Sequence, residues 1–157
     1  MTIEIINRQN VSPASPKRLV ALTQHILSQA VQTEESRFTH IDIVLLDDLG
    51  IAHVNQRCFQ KDAVTDVISL TYAPAPGMED LRAEIFVNVQ RCVDLGPRHG
   101  GADRELALYI AHGCNHIMGG RDDEPAARRR MRRRENLWLS SAAEAGLTNH
   151  LLSPEAH

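Results

Sequence analysis

A chain of 157 residues, 43% hydrophobic and 24% charged, has the size and composition of one globular domain with a single substantial core. No apolar run approaches the roughly 18 residues of a membrane span. The opening stretch M-T-I-E-I-I-N-R-Q-N carries neither a basic leader nor a long apolar segment, so membrane and secreted classes are not expected. A net charge of −3 argues against a protein that coats nucleic acid generally. Cys58, Cys92 and Cys114 are far apart and form no C-x-x-C pair, as expected of reduced thiols in a cytoplasmic protein.

In chain order, Ile3 to Ile6 predicts an opening strand. After a Pro/Ser hinge at Ser12 to Ser15, Pro16 suits a first helical position, and Leu19, Val20, Leu22, Ile26, Leu27 and Ala30 follow at helical spacing. Phe38 to Leu46 reads as a buried strand. Asp47 and Asp48 can cap a helix bearing Ile51, Val54 and Phe59. Val64 to Tyr72 is rich in β-branched residues and predicts a strand, the A-P-A-P-G stretch from Ala73 a loop, and Ala83 to Val89 a fourth strand. Asn88 can cap a short helix through Val93 that ends near Gly96 and Pro97, and Asp103 is placed to cap the next one. This order predicts an α+β fold: a mixed sheet of about four strands with packed helices, in one domain over residues 1–157.

The helix after Asp103 carries the most specific chemistry. His112 and His116 lie four apart and project from one helical face, the separation at which two imidazoles can share one metal ion. Gly119 and Gly120 can stop the helix and reverse the chain, which brings Asp122 back toward them. Two neutral imidazoles and one carboxylate leave a position open on a zinc-sized ion, as in catalytic sites. The other reading is that two buried histidines find separate protein acceptors; the apolar Leu106, Leu108, Ile110, Ala111, Ile117 and Met118 show that the helix is buried either way. Cys114 falls on another face and is a poor ligand.

A final helix starts near Pro125, with Ala127, Met131, Trp138 and Ala142 forming its inward stripe. From Arg121 to Arg134 seven Arg face three acids, a local charge of +4 that leaves −7 for the remainder. Arg128, Arg129, Arg130, Arg132, Arg133 and Arg134 form either a solvated face paired with Glu124 or Glu135, or a bidentate phosphate-binding surface.

His112 to Asp122, H-G-C-N-H-I-M-G-G-R-D, resembles the signature H-G-x-L-H-L-x-G-Y-D-H of the YbeY family of rRNA-maturation endoribonucleases. V-N-Q-R-C-F-Q-K-D-A-V-T-D-V-I-S-L, from Val54 to Leu70, is similar to the family's L-N-x-x-x-x-x-x-D-x-P-T-D-V-L-S-F. Arg104-Glu105-Leu106, and Met131 with Glu135, also fall where the family has R-E-L and M-x-x-x-E. The resemblance implies a zincin-like, cytoplasmic hydrolase holding one zinc or other divalent ion per chain at His112, His116 and Asp122. It further implies action on ribosomal RNA or the small ribosomal subunit, in rRNA maturation and ribosome quality control, with no membrane or DNA partner. Against the family pattern, Asp122 replaces a usual His, Asn115 an apolar residue, and Gly120-Arg121 a Tyr-Asp pair. Phe59 stands where some members carry an arginine, and Glu84 where Asp is frequent.

The expected chemistry is metal-assisted hydrolysis of an RNA phosphodiester, in which the metal acidifies the water held among His112, His116 and Asp122. Arg128, Arg129 and Arg132 would hold the backbone, and Thr65, Asp66 and Ser69 would border the groove or merely cap and pair a strand. No general base is identified. A non-catalytic RNA- or ribosome-binding protein with a degenerate metal site is the competing class. A metallopeptidase is a further alternative, disfavoured because Gly113 stands where H-E-x-x-H has Glu.

Overall fold

The computed structural model describes residues 1–30 and 38–152. Strands β1 (Thr2–Asn7), β2 (Phe38–Leu46), β3 (Val67–Tyr72) and β4 (Leu81–Asn88) form one mixed sheet in the order β1-β2-β4-β3. β1 and β4 run parallel to β2, whereas β3 pairs antiparallel with β4 as an edge strand. Helices α1 (Pro16–Ala30), α4 (Ala102–Ile117) and α5 (Pro125–Glu144) build the main layer on one side. α2 (Asp48–Phe59) covers part of the other side, and α3 (Val89–Leu95) follows β4 directly.

Period-two alternation decides which side chains enter each layer. Ile41, Ile43 and Leu45 of β2 and Ala83, Ile85 and Val87 of β4 face α1 and α4 in the main core. Their neighbours Val44, Leu46 and Phe86 meet Ile51 and Val54 of α2 in a smaller one. Full burial of each such aliphatic side chain contributes about 1.5–3 kcal/mol, so the sheet is a rigid base for what α4 carries. Of the described helices, none is long and apolar enough to cross a membrane.

The expected elements all form, with shifted strand ends. β3 starts at Val67 rather than Val64, because Thr65 and Asp66 belong to a loop held by Asn88 donating to the Thr65 carbonyl and by the Asp66 carboxylate accepting from the Val67 N–H. β4 runs from Leu81 to Asn88, and Val89 is already helical because the Asn88 side chain accepts from the Arg91 N–H and caps α3. Asp47 caps α2 by accepting from the Gly50 N–H. Asp103 does not cap α4: the helix begins at Ala102 after Gly101, with no side-chain cap. Both Asp103 carboxylate oxygens instead accept from the backbone of His150 and Leu152, at 2.9 and 2.8 Å, which pins the chain after α5 to the start of α4.

Candidate metal centre and cleft

α4 lies at the centre of the helical layer, packed on β3 and β4 and flanked by α1, α3 and α5. Its close approach to the sheet depends on Gly113, where a Cβ would come within 2.5 Å of Ile85 Cγ2. Ser69 Oγ donates to the Gly113 carbonyl at 3.3 Å, so this side chain ties the edge strand to the helix. Ser69 also lines the wall of the cleft.

His112 and His116 emerge from α4 half-buried, with their rings 4.6 Å apart and nearly perpendicular. Their Nε2 atoms are 3.1 Å apart, and His116 Nε2 is 3.3 Å from Asp122 Oδ2. One ligand atom from each of His112, His116 and Asp122 lies within 4.8 Å of the others. Neighbouring ligand atoms of a tetrahedral ion with bonds of 2.0–2.1 Å are separated by about 3.3–3.4 Å. The donor set therefore fits one zinc-sized cation, and the three side chains expected to converge do so.

The chain reversal after α4 accounts for Asp122. Gly119 adopts φ 95°, a left-handed conformation that favours glycine. Gly120 donates its N–H to the Asn115 carbonyl at 2.8 Å, and a Cβ on it would lie 2.5 Å from Asn115 Oδ1. The Asn115 carbonyl, 2.8 Å from such a Cβ, and its side-chain oxygen together leave no room for a side chain at position 120. Arg128 Nη1 donates to the Asp122 carbonyl at 3.1 Å and holds the returning loop against α5. Arg121 pairs with Asp123 at 2.7 Å, while Asp122 faces His116.

Glu135 is the residue whose position mattered more than its sequence context suggested. It was a possible surface partner for the arginines, yet it lies 5% exposed on the inward side of α5. Its carboxylate accepts from His112 Nδ1 at 3.1 Å and from Asn115 Nδ2 at 2.8 Å. Donation from Nδ1 leaves the His112 Nε2 lone pair directed at His116 and Asp122, the tautomer a metal ligand requires. The same hydrogen bond raises the His112 pKa above its ordinary value, with burial opposing it. The signal in the sequence was the four-residue step from Met131 to Glu135, which places Glu135 beside the apolar stripe.

A cleft of about 680 Å³ opens over His112, His116 and Asp122, lined also by Asn55, Phe59, Thr65, Asp66 and Ser69. Asn55 donates to the Ala63 carbonyl and Asn88 to the Thr65 carbonyl, so two buried amides set the α2–β3 loop at its rim. Asp66 accepts the Val67 N–H at 2.7 Å. Phe59, 45% exposed, presents its ring to the cleft rather than to the core. An adjoining hollow of about 370 Å³ is lined by Asp66, His112, Asp122, Glu135, Arg128 and Arg132. Arg129 is exposed on α5 and lines neither volume. Glu4, His40 and Asp42 form another group of possible ligands on the open face of the sheet; there His40 Nε2 and Asp42 Oδ1 already share a 2.7 Å hydrogen bond.

A mixed sheet carrying a central helix, whose two imidazoles meet a carboxylate at the floor of a cleft, defines an α+β protein with a candidate cation site beside an open cleft. Residues 4–143 match the family described as endoribonuclease YbeY, and the chain belongs to that family of hydrolases. It is 30% identical over 132 residues to endoribonuclease YbeY of Salinibacter ruber, covering 78% of this chain and 82% of that one. Endoribonuclease YbeY of a Nocardioides species is 28% identical over 139 residues, covering 83% and 91%. The solution structure of a Thermotoga maritima protein superposes with a TM-score of 0.58 at 15% identity over 94% of this chain and 96% of that one, a likeness of fold.

Proposed function

We propose that this chain, acting as one domain over residues 1–157, is a metal-dependent endoribonuclease of the cytoplasm. Its substrate is ribosomal RNA, free or in the small ribosomal subunit, and its role is rRNA maturation and ribosome quality control. The carrying observation is the approach of His112, His116 and Asp122 at ligand-to-ligand distances of 3.1 and 3.3 Å on the floor of an open cleft. Zinc or another divalent ion held by these three side chains would supply a water acidified toward neutrality and Lewis acidity toward a phosphoryl oxygen.

The chain's own groups do the rest. Glu135 fixes the His112 tautomer, and Arg128 steadies the loop that bears Asp122. Arg132, in the adjoining hollow, is placed to hold a non-bridging phosphate oxygen and offset charge as the phosphorus centre crowds. Among the described residues, Asp66, Asp122 and Glu135 are the carboxylates bordering these volumes. Asp122 is a ligand, and Glu135 is committed to His112 and Asn115. That leaves Asp66 as the carboxylate available to take a proton from the attacking water and return it to the departing ribose oxygen as the P–O bond breaks, with one carboxylate oxygen oriented by the Val67 N–H.

Two features support this reading over the alternatives. The Gly113 position points into the sheet, 2.5 Å from Ile85 Cγ2, so no glutamate fits where a metallopeptidase of the H-E-x-x-H type carries its base. Intact ligand spacing favours an enzyme over a binding protein with a degenerate site. Asp122→Ala is the test. Loss of chelator-sensitive RNA cleavage with RNA binding retained supports the enzyme; cleavage at the wild-type rate removes the metal assignment.

A further inference from the structure

The arginines of α5 exceed what one cleft can use. Ala127, Met131, Glu135, Trp138 and Ala142 are buried and fix the helix's inward direction. At 100° per residue, the six arginines then divide into three i, i+4 pairs around the remaining circumference. Arg128 and Arg132 flank the inward stripe on the Glu135 side and line the hollow beside His112. Arg129 and Arg133 form the outward crest. Arg130 and Arg134 lie on the opposite flank, about 200° around the helix from the cleft pair. All six are exposed. Among the described residues, the ion pair on that far flank is Arg130 with Glu124 at 3.9 Å, between two exposed side chains. Exposed pairs of this kind contribute little and yield readily to phosphate.

We infer that α5 carries a second phosphate-binding face, Arg130 and Arg134, which engages a backbone segment of a folded RNA other than the strand lying in the cleft. This rests on RNA being the substrate class. A helix with side chains is roughly 10–12 Å across, so one short extended strand held at Arg132 does not also reach the far flank. Phosphates on both flanks are available when the helix lies against RNA whose backbone passes it twice, as at a stem next to a single-stranded stretch. The planar guanidinium fork suits such contacts, and RNA helices are recognised largely through shape and backbone. The rest of the chain carries the compensating negative charge, which discourages binding elsewhere on the surface.

Two labelled RNAs separate the contributions: a stem with a single-stranded tail, and the tail alone. Binding is measured by anisotropy across a salt series, with EDTA present so that cleavage plays no part. Arg130→Ala/Arg134→Ala is expected to weaken binding of the stem-tail RNA several-fold and to flatten its salt slope by roughly 1–2, at about 0.7–0.9 per phosphate lost. Its affinity for the tail alone should stay within twofold of wild type. Arg128→Ala/Arg132→Ala is expected to weaken both RNAs. Equal losses on the two RNAs from the far-flank variant, or no loss on either, would overturn the second face. Because the readout is binding, absence of cleavage activity would remove the enzyme reading and leave this result standing. Thermal unfolding of each variant within about 2 °C of wild type excludes a folding defect, since exposed helix positions seldom exceed 0.5 kcal/mol.

Discussion

Replacing Glu135 by Ala should separate metal affinity from the ligand set itself. Glu135 is not itself one of the three proposed ligands, yet its carboxylate serves His112 Nδ1 at 3.1 Å and Asn115 Nδ2 at 2.8 Å. Without it, His112 Nδ1 can find water, because that ring is 32% exposed, and the imidazole loses its fixed tautomer and orientation. Loss of an outer partner of this type weakens metal binding 10–100-fold, about 1.4–2.7 kcal/mol. Asn115 is 1% exposed and would keep only the Met131 carbonyl at 3.2 Å. The disrupted buried network should therefore cost about 1–3 kcal/mol of folding stability. At this chain length that corresponds to a fall in Tm of roughly 2–4 °C per kcal/mol. Glu135→Gln should be intermediate: its amide oxygen can serve His112, but its NH2 then confronts the Asn115 NH2. Competition with a chromophoric chelator gives the zinc Kd, and calorimetry gives Tm. A zinc Kd in Glu135→Ala equal to that of wild type would refute the reasoning.

Other outcomes follow from the same geometry. Gly113→Ala should destabilise the fold by about 1–3 kcal/mol, because its Cβ would sit 2.5 Å from Ile85 Cγ2 in a packed interface; denaturant unfolding checks this. A thiol reagent should modify Cys58 in the native protein but leave Cys92 and Cys114 unreacted until unfolding. Both are fully buried, and burial pushes the Cys114 thiol up to about 12. In the metal-free protein the raised His112 pKa means that the folded state binds this proton more tightly than the unfolded chain does. The resulting stability is fully present below about pH 6.5 and disappears as pH rises through the elevated folded value. Tm measured with EDTA should accordingly decline through that window, and the decline should flatten in Glu135→Gln.

Local chemistry made much of this architecture readable. β2 falls on Phe38–Leu46 as expected, because its apolar run is bounded by Asp47, whose side chain caps the next helix. The approach of His112, His116 and Asp122 was legible because a four-residue helical step and a glycine at φ 95° are properties of neighbouring residues. Long-range use of polar side chains was harder to read. Asp103 has the identity and position of a helix cap, but it holds the backbone of His150 and Leu152 instead. Glu135 sits next to six arginines in sequence, and only the packing of α5 on α4 turns it inward to His112. The glycine at position 120 looks arbitrary in sequence until the Asn115 carbonyl and side-chain oxygen are seen to fill the place of its Cβ.

The proposed activity requires positions 112, 116 and 122 to hold one cation together. Zinc K-edge absorption spectroscopy on protein carrying one equivalent of zinc tests it most directly. Two imidazoles and a carboxylate at about 2.0–2.2 Å are expected in the wild type, with the carboxylate contribution lost in Asp122→Ala. A spectrum with fewer than two imidazoles, or one unchanged by Asp122→Ala, would contradict it.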